Sequence, residues 1–299
     1  MALKKTSLIG LTIVAVWCLL PLLAAEGAAP AVEVEIQSRF TGSSALGADG
    51  ARVSQDSSLV DLTIPLAGSG HLGLGADLIV QRLGFHFSET GGSFPGGTAP
   101  LAAAEVATLK PTVIFHPTPR WTLVGSGTVQ FAGGDHALSG DSRLFSGSVG
   151  AIYQHAPERK IGLGIQVAGR LKAAARIIPF PLIDWRISDR WSLTALDGES
   201  GTLGCRMTDT MRVIGRLEFQ SQDIRLKRSS SIPSGIMRYE AFPLSVGLEF
   251  RPNKHLTVTV DGGAALAQQY RFEDERGHLL RAGEIHSPWI GTLDFDYDF

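Results

Sequence analysis

The sequence predicts an all-β chain folded as a closed antiparallel, up-and-down transmembrane β-barrel of 12–14 strands. Three observations predict it. Period-two alternation recurs in runs of about 10–14 residues. Strands of soluble proteins average about five or six residues, while a tilted membrane strand needs about 9–11. Connections alternate between short and long. After residue 31 no segment approaches the ~18 apolar residues that a membrane helix needs. A chain that spans without such helices must close its backbone hydrogen bonds in a barrel.

The N-terminus stands apart from the strands. Lys4 and Lys5 form a basic region, Leu8 to Leu20 an apolar one, and small residues follow in LLAAEGAAPA. This is the pattern of a secretory signal peptide. Cleavage is expected after Ala25, with sites up to Ala31 as alternatives, which gives a signal peptide at 1–25 and a barrel domain at 26–299. Trp17 before Cys18 is too bulky for lipoprotein processing. The mature chain then carries 25 basic and 29 acidic residues, a net charge of −4. That balance does not suggest a nucleic-acid binder. One cysteine, Cys205, remains, so no disulfide framework forms within the chain.

The alternation is clearest in KIGLGIQVAGRLK. Ile161, Leu163, Ile165, Val167 and Leu171 share one face; Gly162, Gly164, Gln166, Arg170 and Lys172 share the other. In RWTLVGSGTVQF, Trp121, Leu123, Val129 and Phe131 oppose Thr122, Ser126, Thr128 and Gln130. In HLTVTVDGGAALAQQY, Leu256, Val258, Val260, Ala264, Leu266 and Tyr270 oppose Thr257, Thr259, Asp261 and Gln269. Apolar-out, polar-in alternation at this length is the membrane-barrel signature.

AGSG (67–70), HPTPR, HAPERK, ISDR, MTDT and RPNKH form the short connections. Residues 42–54, 88–103, 222–235 and 271–286 are longer. Transmembrane barrels place short turns in the periplasm and long loops outside. Both termini then fall on the short-turn side, which requires an even strand count. A weak repeat sits on the short turns: VIFHPTPRWTL, IDWRISDRWSL, LGCRMTDTMRV and LEFRPNKHLTV. Each runs from a basic residue through a polar turn to an apolar residue at 121, 191, 211 or 256. Trp121, Trp185, Trp191, Trp289, Tyr153 and Phe250 are the candidates for aromatic girdles.

The chain ends TLDFDYDF, with Leu293, Phe295, Tyr297 and Phe299 on one parity and Asp294, Asp296 and Asp298 on the other. A terminal Phe with alternate aromatics before it resembles the C-terminal signal of bacterial outer-membrane β-barrels. PLIDWRISDRWSL resembles stretches of uncharacterised outer-membrane barrels of the domain-of-unknown-function type. The resemblance implies that this segment is the last strand and that Phe295, Tyr297 and Phe299 are read by the barrel assembly machinery. It also implies export to the outer membrane and contact with its lipids and lipopolysaccharide.

Lumen-parity candidates are Asp77, Lys110, Gln166, Arg170, Lys172, Asp184, Arg186, Arg238 and Glu240. Opposed charges inside a barrel set the selectivity of a pore or brace a narrow lumen. The three C-terminal aspartates should face inward too. Like charges on one strand repel, so basic neighbours are expected, from the first strand or near the periplasmic mouth. Pro179 and Pro181 remove two backbone donors from one strand edge. Either the strand begins after Pro181, or the ladder breaks into a side opening.

None of the eight histidines has metal-ligand spacing, and no GxSxG frame is present. GHLGLGAD (70–77) lies in a strand with no helix after it, so it is no nucleotide loop. IRLKRSSS (224–231) is a basic patch in an expected outer loop, suited to lipopolysaccharide phosphates. No catalytic residue and no cofactor is expected. The leading function is a narrow channel for small solutes or ions. A structural or surface-contact barrel is the alternative, with an enzyme acting on lipid or peptide behind it.

Overall fold

The computed structural model describes residues 32–46, 51–88, 94, 98–134, 140–285 and 287–299. The expected signal peptide at 1–25 and parts of the loops at 42–54, 88–103 and 133–141 lie outside the described residues. The strands run in order β1 (Glu33–Ala45), β2 (Arg52–Gly68), β3 (Leu72–Ser88), β4 (Ala103–Thr118), β5 (Trp121–Gly134), β6 (Arg143–Ala156), β7 (Arg159–Ala168) and β8 (Arg176–Arg186). There follow β9 (Trp191–Ala195), β10 (Ser200–Arg206), β11 (Met211–Glu218), β12 (Gln220–Arg225), β13 (Ile236–Phe250), β14 (Leu256–Glu273), β15 (Leu279–Ile285) and β16 (Trp289–Asp298). β11 and β12 are two parts of one stave, as are β15 and β16, so the barrel has 14 staves. Neighbours pair antiparallel, and β16 closes the circle between β14 and β1, with Glu33 opposite Asp298 and Gln37 opposite Asp294.

The short-turn end obeys the alternation. Leu78, Leu109, Val149, Leu163, Val246 and Val260 point outward and are exposed, while residues between them face the interior. Trp121 stacks near Tyr153 at 5.1 Å, and Arg159 sits over Trp185. Four of the short turns share a hydrogen bond that explains their sequence repeat. The backbone N–H of Trp121, Trp191, Met211 and Leu256 donates to the side-chain oxygen of Thr118, Ser188, Thr208 and Asn253, three residues earlier. Ser69 accepts from Leu72 in the same way. Such Asx and Ser/Thr turns supply a partner to a backbone group that the ladder leaves over.

The long-loop end does not stay a hollow barrel. The upper halves of β13 and β14, the end of β12 and Ile285 of β15 pack inward against β2–β5. A core forms there around Val53, Phe85, Val106, Tyr270 and Phe272. β12 crosses far enough that Arg225 bridges Gly133 of β5. A bulge on β14 causes part of this turn inward: Ala241 pairs Gln268, but Pro243 pairs Ala265. The extra residue reverses the side-chain parity of β14. Tyr270, expected on the outward face with Leu266, is therefore fully buried in the core, where its hydroxyl donates to Gln55. The expected outer loop 222–235 likewise begins as strand β12. In its basic patch, Ile224 and Leu226 are buried in the same core.

Candidate functional site

The interior holds two connected spaces. The first, about 620 Å³, lies at mid-barrel. The second, about 880 Å³, opens toward the short-turn end and is more apolar, with Ile114, Val124, Phe180, Leu182 and Leu196 on its wall. Lys110, Ser126, Ser148 and Asp197 border both spaces and form the neck between them, with Asp77 just below on the wall of the lower space. Asp77 and Lys110 are cross-strand partners on β3 and β4, with Nζ 3.5 Å from the carboxylate. Thr63 donates to Asp77 at 3.1 Å, and the hydroxyls of Ser126 and Ser148 meet at 2.8 Å.

Above the neck the wall is charged. Arg39 of β1 forms a two-pronged pair with Glu218 of β11, both contacts at 2.9 Å. This fork-on-fork geometry fixes both groups. Arg216 lies 3.8 Å from Glu218, 3.7 Å from Asp261 and 3.9 Å from Asp294. The expectation of basic neighbours for the C-terminal aspartates is corrected on one side. The first strand places Glu33 opposite Asp298 and Glu35 opposite Asp296, which adds negative charge. Carboxylate oxygens of Glu35, Asp294 and Asp296 lie within 4.8 Å of one another. The cation that reaches them comes from β11 instead, since β11 curves so that Arg216 faces Asp294.

The other lumen candidates scatter. Gln166 lies on β7 above the neck and donates weakly to Glu199 at 3.4 Å. Asp184 pairs with Lys160 at 2.7 Å, away from the neck. Arg170 and Arg176 converge on Glu240, at 3.6 and 2.8 Å. Three placements correct the sequence reading. Arg186 ends β8 at the short turn and is exposed there. Lys172 is on no strand: β7 stops at Ala168, and Lys172 adopts φ 53° in an exposed loop. Arg238 and Glu240 share the parity of outward-facing Phe242, not of lumen-facing Ser245. They are enclosed because β13 has turned inward and residues 170–176 cover that face. Arg238 is 3% exposed, held 2.9 Å from Glu273 and 3.6 Å from Asp223, and it donates to the carbonyl of Leu171.

Sequence reasoning missed Arg39, Glu35, Arg216 and Glu218 as lumen groups, while it placed Asp261 on the inward face of its strand. For β1 the signal was available: Glu33, Glu35, Gln37 and Arg39 alternate with Val34, Ile36 and Ser38.

Residues 117–278 match the family model described as Domain of unknown function (DUF6268). No curated protein matches the sequence. Among solved structures, an outer membrane channel from Pseudomonas putida F1 is 9% identical, covering 92% of this chain and 98% of that one, with a TM-score of 0.49. The KdgM porin is 8% identical, covering 89% and 99%, with a TM-score of 0.36. The translocator domain of the autotransporter NalP from Neisseria meningitidis is 12% identical, covering 97% and 96%, with a TM-score of 0.36.

Proposed function

The chain belongs to the DUF6268 family, a domain of unknown function, and from that premise we propose that it is an outer-membrane channel for small solutes. The observation that carries the proposal is the charged neck, where Lys110 borders both interior spaces of a closed barrel and pairs with Asp77 on the wall of the lower one. Rings of opposed charge at a constriction sort solutes by sign and size. The exposed apolar staves support a place in lipid, and a polar interior is compatible with water. The start of β1 and the end of β16, Glu33 opposite Asp298, lie at the short-turn end, which the proposal places in the periplasm. Phe295 and Tyr297 face outward on β16 and Phe299 follows it, all three exposed, which supports reading them as the segment that the assembly machinery meets. Outer-leaflet lipid and lipopolysaccharide surround the long-loop end in this reading.

Planar-bilayer conductance tests it. Lys110→Gln should shift ion selectivity toward cations, and Asp77→Asn toward anions, each more than Asp184→Asn or Arg170→Gln. A protein that conducts nothing in any of these forms would overturn the channel reading. The packed core at the long-loop end favours a second reading, a barrel that holds shape without transport, and that reading predicts no conductance.

A further inference from the structure

The barrel wall has an unpaired stretch. β8 pairs with β7 along its whole length, from Arg176 opposite Ala168 to Trp185 opposite Arg159. On its other side it pairs with β9 only from Ile183 to Arg186. β9 is five residues long and β10 seven, so their hairpin ends well below the top of β8. Beyond it, β12 pairs with β13 and touches β5, not β8. Among the described residues, 176–182 therefore have no ladder partner on that side and leave an open edge, roughly 23 Å long at about 3.3 Å per residue.

Pro179 and Pro181 lie within that edge, and the strand does not start after them. The β7 ladder continues unbroken across both. Proline tolerates this only where its nitrogen faces away from the paired neighbour. The two missing donors thus belong to the edge that has no partner. They also keep a passing strand or a second chain from pairing there.

The edge lies within the apolar belt. Ile177 is 71% exposed, level with Val167, and Leu217 and Phe242 are exposed on the facing bank. The opening reaches the interior: Arg176 and Ile178 on one bank, and Phe219 and Ser221 on the other, line the mid-barrel space. At its foot the hairpin tip turns inward. Gly198 adopts φ +79°, and a Cβ there would fall 2.7 Å from the Phe180 ring. Beside that tip, exposed Leu196 borders the apolar lower space. At its top the Arg176–Glu240 and Arg170–Glu240 pairs join the two banks.

We propose that the gap between β8 and β12 is a lateral window through which small apolar molecules pass between the bilayer and the lower interior space, latched by the Arg176–Glu240 pair. The proposal rests on the channel reading and gives the interior a second route, beside the packed long-loop end. The chemistry favours an uncharged apolar molecule, because the route from Ile177 past Leu196 to Phe180 and Leu182 is apolar.

The test uses the full chain in intact cells and follows entry of N-phenyl-1-naphthylamine by its fluorescence. In an Arg176→Cys/Glu240→Cys variant, bridging with a short cleavable bismaleimide should slow entry severalfold, and reduction should restore it. Leu196→Asp, which leaves the latch intact, should slow entry as well; it carries the test if the double variant does not assemble. Entry that is indifferent to bridging and to Leu196→Asp overturns the window. Planar-bilayer conductance of the parent protein separates the two proposals. Conductance with bridge-indifferent dye entry removes the window alone, while bridge-sensitive entry without conductance keeps the window and removes the ion channel.

Discussion

The two ends of this barrel use the same strands and bury them differently. Near the short turns, β14 shows Thr257, Thr259 and Asp261 to the lumen and Val258 and Val260 to the outside. Near the long loops, residues 236–241 of β13 have protein on both faces, and five of the six are buried. Met237, Tyr239 and Ala241 enter the core, and Ile236 and Arg238 meet the loop after β7. The difference teaches what alternation encodes. A period of two records unlike surroundings on the two faces of a strand. Where both faces meet protein, the pattern has nothing to record.

The largest expected effect breaks the two ends apart. Phe272→Ala empties a fully buried site, and such truncations cost about 3–5 kcal/mol. Val246→Ala trims an outward side chain that is 62% exposed, where a change of about 0.5 kcal/mol or less is expected. Urea midpoints of the detergent-solubilised barrel compare them. Phe272→Ala should also raise conductance, because the core it weakens occupies the long-loop end. Equal stability losses in the two variants would deny that the ends are built differently.

The same contrast explains what the sequence disclosed. The strands around Leu163, Leu123 and Val258 were legible because lipid-type and water-type faces alternate there. The even strand count followed from the turns, and the turn repeat has a cause in the capping oxygens of Thr118, Ser188, Thr208 and Asn253. Tyr270 was misplaced because one extra residue in β14 reverses parity, and a bulge between Ala265 and Gln268, at Leu266 and Ala267, carries no strong local mark. Arg238 was placed on the right footing as a paired charge but on the wrong face. Its partners Asp223 and Glu273 are 15 and 35 residues distant. The Asp77–Lys110 neck was named residue by residue, yet its pairing depends on the β3–β4 register. Arg216 went unnoticed because only closure of the barrel brings it to Asp294.

Two arginines sharpen the comparison at an intermediate scale. Arg238 is buried at the folded end among Glu273, Asp223 and the Leu171 carbonyl. Removing one member of a buried pair costs about 3–5 kcal/mol, since it strands the remaining charges. Arg216 lines the mid-barrel space and lies 3.7 and 3.9 Å from Asp261 and Asp294, longer contacts than the 2.9 Å Arg238–Glu273 pair, so its loss leaves the facing carboxylates less completely stranded. Arg238→Ala should therefore lower the urea midpoint far more than Arg216→Ala. Arg216→Ala should instead shift conductance toward cations, because Glu35, Asp294 and Asp296 lose the cation facing them. If Arg216→Ala is the more destabilising, contact length does not set the order of the two sites.

The smallest effect lies in the turn between β14 and β15, beyond the staves. Asp274 accepts the backbone N–H of Arg276 and of His278, at 2.8 and 2.9 Å, and its other oxygen lies 3.0 Å from the His278 ring. The His278 N–H is the main cause that holds the Asp274 carboxyl below its ordinary value, because these donors favour the charged form. A depressed carboxyl contributes stability that is full above its unfolded value, about 3.9, and is lost as pH falls through the lower folded value. The turn should thus keep its amide protection at neutral pH and lose it only in acid below the ordinary carboxylate range. Hydrogen exchange at Arg276 and His278 reads this, and Asp274→Asn should remove the acid step while leaving the core around Phe272 unchanged. A step at the ordinary carboxyl value would mean that the turn's hydrogen bonds do not hold the charge, and that the exposed turn contributes nothing of its own to the end the core occupies.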